Sequence, residues 1–138
     1  MSILLDEMSR RRLLLAKQIY HHGVLQSAHG HSRSQRILAI ITLDLAVETA
    51  LKAVVLAFDA SAQPAERFPG LMDQAEGLMQ SAGLGALPHR GVVQQFVHSV
   101  RNDAQHRARY PSETDVGDCR SYVRAFLNDT VRIIWDRA

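Results

Sequence analysis

From Ile37 to Phe58 the chain reads ILAIITLDLAVETALKAVVLAF, an apolar stretch whose only charged residues, Asp44, Glu48 and Lys52, fall four apart. The stretch is far longer than an ordinary strand, and its charges recur at a helical period rather than in alternation. Three charges in so short a span make a buried helix the better reading than a membrane-spanning one. With Leu, Ile, Val and Ala on most sides, residues from about Arg36 to Phe58 are expected to form a helix that neighbours surround. Other segments must then supply the apolar faces that cover it.

Those segments are present. Ile3, Leu4, Met8, Leu13, Leu14, Leu15 and Ile19 recur at helical spacing. They predict a first helix from about Ile3 into the His21-His22-Gly23 region and as far as Ala28. Gly30-His31-Ser32 breaks it, and Ser32 or Ser34 can cap the central helix. A connector punctuated by Ser61, Pro64, Pro69 and Gly70 follows, then a short helix over Leu71–Ser81 that ends before Gly83, Gly85 and Pro88. A fourth helix spans about Arg90 to Arg107, with Val93, Phe96, Val97 and Val100 turned inward. Pro111 disfavours a helical Tyr110, which places a joint there. Ser112-Glu113-Thr114-Asp115 then caps a last helix carrying Val116, Tyr122, Val123, Phe126, Leu127, Val131, Ile134 and Trp135. The expectation is an all-α bundle of about five helices, one domain over residues 1–138.

Composition bounds the function less tightly. Hydrophobic residues at 46% and charged residues at 22% describe a globular chain. The formal charge of +2 does not by itself demand nucleic acid, but 14 of the 16 basic residues are arginine. A guanidinium fork suits phosphate, and genomic base composition produces the same bias. Cys119 is the only cysteine, so neither an internal disulfide nor a thiolate metal cluster is available, as expected of a cytoplasmic protein. The amino-terminal segment lacks the uninterrupted apolar core of a signal peptide, and no membrane association is expected. His21, His22, His29 and His31 cluster at irregular spacing in a Gly-containing region and read as solvated, not as a metal site.

Chemistry concentrates in Arg101-Asn102-Asp103-Ala104-Gln105-His106, continuing through Arg107, Arg109 and Tyr110. On a straight helix Arg101 and His106 point about 140° apart, while His98, Asn102 and His106 share one stripe, with Arg101, Gln105 and Arg109 beside it. Two arrangements reconcile Arg101 with His106: the helix ends early and His106 swings round, or two copies of the segment face each other across a dimer. Glu48 and Lys52 have the favourable order for an ion pair. On a wet face that pair suffices; buried against the fourth helix, Glu48 would instead hold Arg101 or orient His106. Thr42 and Tyr110 are candidate hydroxyl contributors.

Arg101, Asn102 and His106, at a helix end in a helical domain of this length, resemble the motif of the HEPN family (higher eukaryotes and prokaryotes nucleotide-binding domains). That motif is Arg, often followed by Asn, Asp or His, with His after a spacer of four to six residues. Ala46-Val47-Glu48-Thr49-Ala50-Leu51-Lys52 is similar to a second helix of that family, and the likeness extends from about Arg36 to the C-terminus. The resemblance implies a helical bundle that homodimerises and cuts RNA as an endoribonuclease with neither metal nor other cofactor. Arg101, Asn102 and His106 would be its catalytic residues, Glu48, Gln105 and Tyr110 supporting ones, and Arg107 and Arg109 RNA contacts. It also implies settings such as defence, or a toxin paired with a nucleotidyltransferase-type antitoxin. Such toxins carry a modified Tyr two or three residues after the His, whereas Tyr110 lies four after His106. Other members bind nucleotide or RNA without cutting it, and a helical dimeric interaction module is the third alternative.

Overall fold

The computed structural model describes residues 5–29 and 32–136. α1 (Glu7–His29), α2 (Arg33–Phe58) and α3 (Phe68–Ser81) come first. α4 (Arg90–Val92) then passes through a π-helical segment (Val93–Val97) into α5 (His98–Arg107), and α6 (Glu113–Trp135) ends the fold. The run from α4 to α5 is one continuous helix, because the residues at its two internal junctions, Val93 and His98, keep right-handed helical dihedrals. Counted so, the described residues make five helices and no strand. None of these helices is long and apolar enough to cross a membrane.

Local chemistry sets the boundaries. α1 starts at Glu7, where Asp6 caps it: the Asp6 carboxylate accepts the Ser9 amide at 2.7 Å; the expected start near Ile3 lies outside the described residues. These bonds to Ser9 hold the Asp6 carboxyl below its usual range. The expected break at Gly30-His31 lies outside the described residues. Ser32 caps α2 by accepting from the Gln35 amide, and Ser112 and Asp115 form a reciprocal capping box at the start of α6. α3 begins three residues earlier than its apolar pattern suggests, with Pro69 in its first turn, where a proline costs no hydrogen bond. α5 ends on Ala108 in the left-handed region (φ 53°), and the Arg109 amide returns to the Asp103 carbonyl at 3.0 Å.

α2 occupies the centre. Ile40, Leu43, Val47, Leu51 and Val54 are fully buried, each contributing about 1.5–3 kcal/mol of transfer free energy on the usual scale. α1, α3, α5 and α6 all pack against it. α1 approaches α2 closely at Gly23, where an added Cβ would sit 3.1 Å from Leu43 Cγ and Cδ2. α3 is tied to α4 through Arg90, whose guanidinium bonds Asp73 and, at 2.7 Å, Glu76. His89, left-handed at φ 56°, joins the same loop to α6 through Asp129 at 2.6 Å.

Because the α1–α2 approach leaves no room for a branched side chain, Gly23→Val is expected to destabilise the fold by about 1–3 kcal/mol. Urea unfolding followed by circular dichroism checks this; an unchanged or raised midpoint would contradict the packing.

Candidate active site

The polar residues of α2 and α5 meet around one buried carboxylate. Asp44 is only 3% exposed. Its two oxygens lie 3.2 and 3.3 Å from His98 Nδ1, so the imidazole presents Nδ1–H to the carboxylate. Arg101 Nε lies 3.6 Å from Asp44 Oδ2, an ion-pair distance too long for a good hydrogen bond. Phe68, the first residue of α3, closes the other side, its ring stacked on His98 at 3.9 Å with planes 7° apart. A π turn takes more residues per turn than an α turn and so resets the helix face that follows. Here Val93 and Val97 stay in the core while His98, next in sequence, meets Asp44.

From this anchor the stripe His98–Asn102–His106 runs outwards. Each four-residue step drifts by about 40°, and the three residues pass from half-buried to exposed. Arg101 is intermediate, its side chain 27% exposed, and donates from Nη1 to Asn102 Oδ1 at 3.1 Å. Arg101 is thus braced from one side by a buried carboxylate and from the other by an amide. His106 sits in the last turn of α5, exposed, beside exposed Gln105, Arg107 and Arg109. Arg107 pairs with Asp103 at 3.6 Å across a solvated face, a contact of small energetic value.

The α5–α6 joint is fastened to the start of α2. Arg36 Nε donates to the Pro111 carbonyl at 2.8 Å, and the Arg33 guanidinium lies 5.2 Å from the centre of the Tyr110 ring. Arg33 therefore joins Arg107 and Arg109 at this end of the molecule. Thr42 is turned elsewhere, its Oγ1 2.8 Å from Gln26 Oε1 and 2.7 Å from the Leu38 carbonyl.

Two alternatives left open by the sequence are decided here, and Tyr110 gains a contact. Glu48 pairs with Lys52 at 3.2 Å on a partly exposed face; the carboxylate that reaches Arg101 is Asp44, one turn earlier in the same stripe. α5 stays helical through Arg107, so an early helix end does not swing His106 towards Arg101. Tyr110 offers its ring to Arg33. Phe68 was not foreseen, because nothing in its local sequence separates a ring that covers a histidine from one that covers leucines. Asp44 was visible in the sequence only as a member of the stripe with Glu48 and Lys52, and the place beside Arg101 was expected of Glu48.

His21 and His22 are exposed, while the side chain of His29 and all of His31 lie outside the described residues. Among those described, no three His, Cys, Asp or Glu side chains come together in a way that could hold a metal ion. Cys119 is fully buried, and desolvation first, then Asp115, Asp118 and Asp44, push its thiol up to about 12. It therefore stays a neutral core residue and not a nucleophile. No known protein family, curated protein or solved structure matches the chain.

Removing the Asp44 carboxylate strands Arg101 and His98 against the core. Asp44→Ala is expected to cost about 3 kcal/mol, while Glu48→Ala should cost less than about 1 kcal/mol. Urea unfolding of the two variants side by side decides it; equal losses would contradict the assignment of the anchor. Cys119 in the folded protein should resist iodoacetamide at pH 8.5 and alkylate readily in urea, as mass spectrometry would show.

Proposed function

We propose that this chain is a HEPN-like endoribonuclease that acts as a homodimer, with Arg101, Asn102 and His106 of each copy forming half of a catalytic pair. The observation that carries the reading is the division of labour along α5. Arg101 is held by Asp44 and Asn102, while His106, five residues on in the same unbroken helix, stands exposed. With directions about 140° apart, one chain does not aim both groups at one phosphate. A two-fold axis that brings two α5 ends together pairs the Arg101 of each copy with the His106 of the other.

Such a site matches what RNA cleavage needs. The 2′-oxygen attacks the adjacent phosphorus, the bond from phosphorus to the 5′-oxygen breaks, and a 2′,3′-cyclic phosphate and a free 5′-hydroxyl result. The imidazole of one copy's His106 takes the 2′-hydroxyl proton, and water delivers one to the departing 5′-oxygen. Arg101 and the Asn102 amide would stabilise charge on the equatorial phosphoryl oxygens. Holding the guanidinium on a buried carboxylate removes much of the reorganisation that a free arginine would undergo. Exposed Arg33, Arg107 and Arg109 would track the flanking phosphates. None of these steps requires a metal or an organic cofactor.

In RNA incubations containing EDTA, wild type is expected to yield products with 2′,3′-cyclic phosphate ends. His106→Ala should lower the rate at least about 100-fold, the usual scale of acid–base catalysis, without changing the unfolding midpoint. Salt-sensitive RNA binding with no product would instead favour a non-catalytic RNA-binding domain, and absence of both would leave an interaction module.

A further inference from the structure

A second candidate site lies between α1 and α6. The groove there has a volume of about 610 Å³ and is lined by Leu13, Leu14 and Val24 on one side and Leu127 and Val131 on the other. The charged side chains in its lining are Arg10, Lys17 and Arg124, with the imidazole of His21; among the described residues no carboxylate lines it. All three cations are exposed. Each is without an ion pair or side-chain hydrogen bond among the described residues, whereas Arg11 pairs with Glu7, Arg90 with Asp73 and Glu76, and Arg107 with Asp103. Arg120 extends the basic wall, donating to Ser27 at 3.1 Å. Burial raises the pKa of the Tyr20 hydroxyl, and the charges of Arg124 and Arg120 oppose the rise, which places both guanidiniums near the phenol.

The pattern along α1 is regular. Arg10, Leu13–Leu14, Lys17, Tyr20–His21 and Val24 advance by three or four residues and so share one face. Arg10 and Lys17 are two turns apart, about 10.5 Å. From Arg10 to Val24 the groove follows about 21 Å of α1 at helical rise. Leu14 is half-exposed at its edge. A pocket for a small molecule encloses most of its ligand. A long trough with an apolar floor and cations on both walls has the form that receives a helix.

We propose that this groove binds an amphipathic helix of a partner protein whose apolar stripe is flanked by Asp or Glu residues seven apart. Leucines of that stripe fill the space between Leu13, Leu14, Leu127 and Val131. Its carboxylates meet Arg10 and Lys17 on one side and Arg124 on the other. The site stands apart from the α5 residues, and its test does not depend on catalysis.

Two labelled peptides of about five helical turns test it, one with a leucine stripe flanked by glutamates at seven-residue spacing, the other with lysines in their place. Fluorescence anisotropy on the full chain is expected to show the glutamate peptide binding at least about tenfold tighter, the scale on which complementary charge discriminates. Arg10→Glu/Lys17→Glu should reverse that preference, and Arg124→Glu, on the other helix, should weaken the glutamate peptide independently. Equal binding of the two peptides, or a preference unchanged by the substitutions, would overturn the proposal. So would displacement of the peptide by single-stranded RNA or by dodecanoate at similar concentration. Self-association lost in Arg10→Glu/Lys17→Glu, with no peptide bound by wild type, would assign the groove to a second copy of the chain and equally overturn it.

Discussion

A single buried carboxylate fixes the relation between the central helix and the helix that carries the candidate chemistry. Asp44 sits among Ile40, Leu43 and Val47 in the most apolar part of the chain, where an unpaired charge would cost several kcal/mol. It must therefore draw partners, and His98 and Arg101 are the groups α5 offers. Once they dock, the rotation of α5 about its own axis is set, and with it the directions of Asn102 and His106. The π segment before His98 reconciles two demands on one helix. Val93 and Val97 fill the core, while the residue that follows meets a carboxylate one layer out.

The same contact separates the two roles proposed for the α5 motif. Arg101 lies close to the core and is braced on two sides; His106 lies two residues from the left-handed Ala108 that ends the helix. A guanidinium that is to stabilise developing charge benefits from being held before substrate arrives. An imidazole that exchanges protons benefits from open access. An unbroken helix keeps the two groups apart, and in the proposed reading a second copy of the chain would complete the set.

The fold was legible because periodicity and caps act locally. The apolar run after Arg36 could only be a covered helix, Ser32 and Ser112 marked starts, and Pro111 forced a joint. Among the described residues α1 begins at Glu7 because Asp6 caps it there. The site was legible only in part. Asp44, Glu48 and Lys52 share one stripe, and sequence spacing alone does not say which of two carboxylates, one turn apart, lies beneath the neighbouring helix. The depth at which α5 crosses α2 decides it, a matter of tertiary fit in which Phe68 stacks on His98 and Val97 is buried in the core. The four-residue steps from His98 to His106 were visible, but not that they begin in contact with the core and end in solvent.

The claim that each chain supplies half of a site is tested most directly by complementation. Arg101→Ala and His106→Ala, each inactive alone, are mixed and allowed to exchange subunits, and RNA cleavage is measured against wild type at equal total protein. If Arg101 of one copy works with His106 of the other, every mixed dimer contains one intact site, and random exchange restores about a quarter of wild-type activity. If both groups act within one chain, or if the two-fold pairing does not exist, the mixture stays as inactive as its components, and the half-site account fails.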